Sequence, residues 1–153
     1  MIPLTPPDSA PAVLGPVEAA TLHTVLYFDI FSHPLTTDEI HRNTHSQKCS
    51  LTETAAALED LQQLGILEEE EGCWFLSGKN SLVALRRERE ERAMSFMKKA
   101  KSYSAFISGF PFVRAVCISG SLSKGTMDKD SDIDYFVVTE PRRLWIARTM
   151  LVL

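Results

Sequence analysis

The amino-acid sequence predicts an α+β chain in two parts: three helices closed by a hairpin, then a long helix leading into a strand, a glycine-led turn, a second strand and a last helix. Three observations predict it. Apolar residues recur at three- and four-residue steps through much of residues 18–64 and 81–108, the period of amphipathic helices. β-Branched and aromatic residues dominate two short runs, residues 113–119 and 132–139. The sign of charge inverts along the chain, within a net charge of −4. Residues 17–79 hold eleven acids against three bases, and residues 80–110 hold seven bases against three acids.

Taken in order, residues 1–16 contain five prolines and no hydrophobic period, so they read as an extended or disordered arm without chemistry. From residue 18 to 31, Leu22, Val25, Leu26 and Ile30 supply the stripe of a first helix, which His33-Pro34 ends. Thr36 or Thr37 caps a short second helix reaching about Asn43. Ser50 with Glu53 three residues on is a capping box for a third helix, whose buried stripe is expected at Leu51, Ala55, Leu58, Leu61 and Leu64 and which Gly65 closes. Residues 66–76 form two strand-like runs around Gly72, a hairpin.

Three helices followed by a hairpin is the order of a winged helix, and residues 27–36 look like the first-helix exit of such modules. Duplex DNA binding is argued against by the charge. The third helix carries Glu53, Glu59 and Asp60 with no base, and the presumed wing holds four consecutive glutamates, whereas a duplex is held by Lys and Arg on phosphates. The acidic module is better suited to a protein partner or a structural role.

Residues 80–110 read as a connecting helix in which Leu82, Leu85, Arg89, Arg92, Met94, Phe96, Met97, Ala100 and Tyr103 make an imperfect stripe. The charges from Arg86 to Arg92 read as a solvated face with ion pairs, and Lys98, Lys99 and Lys101 as solvated. Gly109-Phe110-Pro111 breaks the helix. Pro141 is expected to start a final helix, through residue 153, by fixing the first helical φ.

With 44% hydrophobic residues the chain can bury a real core. No apolar run reaches the ~18 residues of a membrane span, and no basic segment precedes an apolar one at the start, so a cytoplasmic protein is expected. Cys49, Cys73 and Cys117 are odd in number and show no Cys-x-x-Cys spacing, which fits free thiols. His41 and His45 stand four apart but lack a third metal ligand, and Trp74 and Trp145 read as core or interface aromatics.

The chemistry concentrates between residues 118 and 138. An apolar strand runs into Gly120-Ser121, a second glycine follows at Gly125 beside Lys124, and Ser131 precedes Asp132-Ile133-Asp134. On a strand, side chains i and i+2 share a face about 7 Å apart, so Asp132 and Asp134 would stand side by side. Their repulsion favours a cation between them. Mg²⁺ takes oxygen ligands at about 2.0–2.1 Å, commonly one or two carboxylates plus substrate phosphates. Gly120 lets backbone approach a ligand closely, and Ser121 with the amides after it can face phosphate.

This pattern resembles the nucleotidyltransferase superfamily of the DNA polymerase β type, over roughly residues 113–138. The resemblance implies a nucleotidyltransferase α/β domain with a mixed sheet, of which residues 111–153 would be the N-terminal half. It implies that Gly120 and Ser121 hold nucleotide phosphates, with Lys124, Gly125 and Ser131 beside them. Asp132 and Asp134 would be catalytic and hold Mg²⁺, two ions being possible. The reaction would move a nucleoside monophosphate from a nucleoside triphosphate to an acceptor hydroxyl on a small molecule, RNA or protein. The family's third carboxylate, on a later strand, has no counterpart here, so the chain reads as part of a longer enzyme or as a nucleotide-binding regulator without turnover.

Overall fold

Pro16 sets the first φ of α1 (Pro16–Asp29) in the computed structural model, which describes residues 13–152. The predicted arm therefore lies outside the described residues up to residue 12, and its end, Pro16, is already helical. α1 stops before its predicted end because Ser32 takes φ 51°, and the amides of Phe31, Ser32 and His33 fold back onto Phe28 and Asp29 carbonyls. The helix buries Ala20, Thr21, Thr24 and Val25, while Leu26 and Ile30 are exposed. One buried hydroxyl finds partners, since Thr24 donates to the Ala20 carbonyl and meets the Thr44 hydroxyl at 3.1 Å, whereas the Thr21 hydroxyl is buried without one.

A two-residue strand that the sequence did not announce, β1 (Leu35–Thr36), precedes α2 (Thr37–Asn43). Thr36 and Glu39 form a capping box for α2, and Ser50 and Glu53 form the expected one for α3 (Leu51–Gln63). α3 buries Thr54, Ala57, Leu58 and Leu61, leaving the expected Leu51 and Leu64 exposed. β2 (Leu67–Glu70) and β3 (Cys73–Leu76) form the hairpin, with Glu71 and Gly72 both at positive φ, the geometry of a two-residue turn that matches strand twist. β3 is central in an antiparallel sheet of order β1-β3-β2. Val25, Leu35, Ile40, Leu58, Leu61, Leu67 and Trp74 make one core, and the Trp74 indole donates to Thr37.

The chain divides into two units between Val83 and Ala84, inside the 28-residue helix α4 (Ser81–Ser108). Unit 1 uses Leu82 and Val83 against Cys73 and Phe75. In unit 2, β4 (Val113–Ser119) leads through the single turn α5 (Gly120–Ser123) to β5 (Asp134–Thr139), then to α6 (Leu144–Val152). β4 and β5 pair antiparallel as a two-stranded ribbon; among the described residues this corrects the expected mixed sheet. Reversal through one helical turn and a short loop brings β5 back alongside β4, and no described strand runs parallel to either.

One face of the ribbon packs on α4, where Ala93, Ala100, Leu122 and Met127 are buried with Phe96, Met97, Ile118, Ile133 and Tyr135 around them. Alanines at 93 and 100, seven residues apart, keep the helix face low enough for Tyr135 to donate to the Ala100 carbonyl at 2.9 Å. The expected ion pairs along α4 are present, Arg86 to Glu90 and Arg92 to Glu88. Pro141 does not start α6: Arg142 takes φ 64° and the Arg143 amide closes a turn onto Glu140, so the helix begins three residues later than expected. Among the described residues no helix is long and apolar enough to cross a membrane.

Candidate functional site

β5 begins at Asp134, two residues after its expected start. Ser119 opposite Asp134 is the last pair of the ladder, and the residues that would face Asp132 and Ile133 have already turned into α5. Exposure nevertheless alternates unbroken from Asp132 to Thr139. Asp132, Asp134, Phe136 and Val138 are exposed, and Ile133, Tyr135, Val137 and Thr139 are half-buried. The two acids therefore share the face that α4 leaves open, although only Asp134 is held by sheet hydrogen bonds.

Gly120 ends the strand at φ 66°, a left-handed conformation that glycine takes freely. A Cβ at this position would collide with Oδ2 of Asp134 and come within 3.2 Å of its Cγ. The absent side chain is thus the space the Asp134 carboxylate occupies, which brings the glycine turn and one member of the acid pair together. Gly125 also has positive φ, 72°, but a Cβ there would meet nothing within 4 Å.

The other candidate residues lie on α5 and the loop after it. Ser121 is half-buried, and its carbonyl accepts from the amides of Lys124 and Thr126, which closes the turn. The Ser123 hydroxyl donates to the Gly120 carbonyl at 2.7 Å. Lys124 and Gly125 are exposed. The hydroxyl of Ser131 accepts from the Asp128 amide at 3.2 Å, so this residue locks the loop. The carboxylates of Asp132 and Asp134, the Ser121 hydroxyl and the Lys124 ammonium take no protein partner among the described residues. No cluster of three or more metal-ligating side chains occurs among them either, so a cation would draw its remaining ligands from substrate or water.

Sequence reasoning missed the residues that hold this loop. Arg89 donates to Asp128 at 2.6 Å, Arg92 donates to the Met127 carbonyl at 3.0 Å, and the Met127 side chain is 1% exposed in the core. A signal existed, since Arg89 and Arg92 interrupt the apolar stripe of α4 three residues apart, where half-buried arginines need acceptors. Beside them the Glu88 carboxyl is held below its ordinary range by the Arg92 hydrogen bond, then by the charge of Lys129. Burial raises the Tyr135 phenol above its ordinary value, helped by Tyr103.

Other candidates separate from this site. α2 ends at Asn43, so His41 and His45 do not share a helix face, and His41 instead meets the Thr54 hydroxyl at 3.2 Å. Trp145 is 70% exposed beneath the Arg148 guanidinium, while Trp74 is in the core. The three cysteines are free thiols. Hollows of about 360 and 420 Å³ flank His23 and Ser46 in unit 1 and include no residue of the acid pair or the glycine turn.

Residues 97–148 match the family model of the nucleotidyltransferase domain. The matched segment runs from the second half of α4 to α6 and contains Gly120, Ser121, Asp132 and Asp134, in agreement with the polymerase β-type superfamily. No curated protein and no solved structure matches the chain. The acid pair and its glycine turn thus lie within the segment that matches this domain.

Proposed function

We propose that the nucleotidyltransferase segment binds a nucleoside triphosphate together with Mg²⁺ and transfers the nucleoside monophosphate to an acceptor hydroxyl. The observation that carries this reading is the seating of the Asp134 carboxylate in the space left by the missing Cβ of Gly120, with Asp132 on the same open face. Two unpaired carboxylates at a backbone turn are a hard-oxygen donor set that suits Mg²⁺, and a second ion is compatible with it. Bound Mg²⁺ would supply charge neutralisation for the phosphates and for the oxygens exchanged at phosphorus.

In this reading Asp132 and Asp134 hold the cation. Gly120 makes room for the Asp134 carboxylate beside the phosphates, and the Ser121 hydroxyl and the Lys124 ammonium offer hydrogen bonds and positive charge to them. Gly125 and Ser131 shape the loop beside them. The acceptor oxygen forms its bond to the α-phosphorus, the bond from that phosphorus to the bridging oxygen breaks, pyrophosphate leaves, and the hydroxyl proton passes to solvent water. Calorimetric titration of the chain with ATP and Mg²⁺ tests the binding step. Asp132→Ala or Asp134→Ala should weaken it by more than the roughly 10–100-fold that loss of an outer partner costs a metal site. Unchanged affinity in both variants would sink the reading. Binding without pyrophosphate release across a panel of small-molecule, RNA and protein acceptors would favour a nucleotide-binding regulator.

For unit 1 we propose a winged-helix-like module that docks a basic protein surface, in a cytoplasmic setting. The order of its elements supports the first part. The acids that α3 exposes, Glu53, Glu59 and Asp60, with Glu69, Glu70 and Glu71 at the hairpin, support the second. Such a surface repels the phosphates of a duplex.

A further inference from the structure

We propose that Arg89 and Arg92 of α4 are positioning residues that set Asp132 at the distance from Asp134 that a shared cation requires. The inference rests on the reading of Asp132 and Asp134 as a metal and nucleotide site. The two acids are held by different devices. Asp134 belongs to the β4–β5 ladder and lies against Gly120. Asp132 lies outside the ladder, on the loop that joins α5 to β5.

What fixes that loop is a chain of contacts starting on the helix. Arg89 Nε donates to Oδ1 of Asp128 at 2.6 Å, and a nitrogen of Arg92 donates to the Met127 carbonyl at 3.0 Å. Asp128 is closed onto Ser131 in both directions. Its amide donates to the Ser131 hydroxyl at 3.2 Å, and the Ser131 amide donates to its carbonyl at 3.3 Å. Ser131 is bonded directly to Asp132. Both guanidiniums are mostly covered, with side chains 14% and 19% exposed, so their donors have few rival partners in water. The Asp128 carboxylate is engaged by Arg89, while Asp130 and Asp132 are exposed, and of these Asp132 is the one two residues from Asp134. Lys129 adds a looser tie to Glu88 at 3.6 Å.

A mere fold-stabilising role and a positioning role differ in what they move. An ion pair whose acid, Asp128, is 60% exposed does little for stability, whereas a shift of Asp132 by a fraction of an ångström spoils a cation site. The experiment compares the full chain with Arg89→Met, Arg89→Lys and Asp128→Asn by two readouts, at a temperature well below melting. The first is amide exchange at Asp128 and Ser131 in metal-free protein. The second is the affinity for Mn²⁺ with a non-hydrolysable ATP analogue, from the resonance of free Mn²⁺. Arg89→Met should speed exchange at both amides and weaken Mn²⁺ binding by about 10–100-fold, as loss of an outer support does at metal sites. Arg89→Lys should recover part of both. Unaltered exchange in Arg89→Met overturns the clamp, and parent-like Mn²⁺ affinity with faster exchange overturns its positioning role. If the unaltered chain binds no Mn²⁺ with the analogue while Arg89→Met still speeds exchange, the metal reading fails and the positioning role fails with it, but the clamp stands.

Discussion

Replacing Gly120 by alanine places two separable burdens on unit 2. A left-handed conformation costs an L-residue about 1–2 kcal/mol, and Gly120 sits at φ 66°. The new Cβ also falls on Oδ2 of Asp134 and 3.2 Å from its Cγ. That carboxylate must swing off its rotamer, at about 0.5–1.5 kcal/mol. Urea unfolding followed by hydrogen exchange of β4 and β5 peptides measures the sum, and each kcal/mol corresponds to roughly 4–8 °C in melting for a unit of this size. The double variant Gly120→Ala/Asp134→Ala separates the burdens, because removing the carboxylate takes away the two nearest atoms and leaves Cβ of residue 134 at an ordinary 3.4 Å. In the Asp134→Ala background, Gly120→Ala should therefore cost only the backbone term, and Gly120→Ala alone should lose nucleotide affinity nearly as far as Asp134→Ala. Strict additivity of the two substitutions in stability, or parent-like affinity for ATP and Mg²⁺ in Gly120→Ala, would refute the reasoning.

Leu61 is 0% exposed in the unit 1 core, so Leu61→Ala should lower its urea stability by about 2–5 kcal/mol; a loss below about 1 kcal/mol would contradict that packing. Glu53 has its carboxyl below the ordinary 4.5 because the Ser50 amide, then the Ser50 hydroxyl, donates to it. A lowered folded value gives stability that is present above the unfolded value and lost as pH falls through the folded one. The advantage of the parent over Glu53→Gln should accordingly vanish on acidification below pH 4.5, as followed by helical circular dichroism. Gel shift of a short duplex at low salt should show no complex with the chain, and a salt-sensitive shift would remove the protein-docking reading of the acidic module.

The parts of this architecture that local chemistry specifies are legible in the sequence. Ser50 with Glu53, Gly65 after the third helix, and Glu71-Gly72 between two β-rich runs each act within a few residues, and each is where the sequence places it. The alternating exposure from Asp132 to Thr139 follows the parity of an extended run, but the approach of Asp134 to Gly120 is made across the β4–β5 pair and no local spacing fixes it. Other non-local choices are not legible either. Which face of α1 is buried depends on Thr24 finding Thr44 twenty residues away, and β1 exists only because Leu35 and Thr36 meet Trp74 and Cys73. Pro141 is a valid first helical residue by itself, but the Glu140 amide is drawn to Phe112, and the chain must turn before α6 can start. Arg89 and Arg92 stand out by lying in the apolar stripe of α4, but their acceptors, Asp128 and the Met127 carbonyl, are 39 and 35 residues away and no local spacing points to them.

Met127 turns the loop into something a chemist can time. Its thioether is sealed among Ala93, Ala100 and Leu122, while Met94 and Met150 are 66% and 41% exposed. Dilute peroxide adds oxygen to a thioether that it can reach. Exposed methionines set the clock, and the lag of Met127 behind them counts how often the segment lifts from its seat. Once oxidised, the polar sulfoxide no longer suits its apolar berth, so prolonged peroxide exposure would loosen the segment from within.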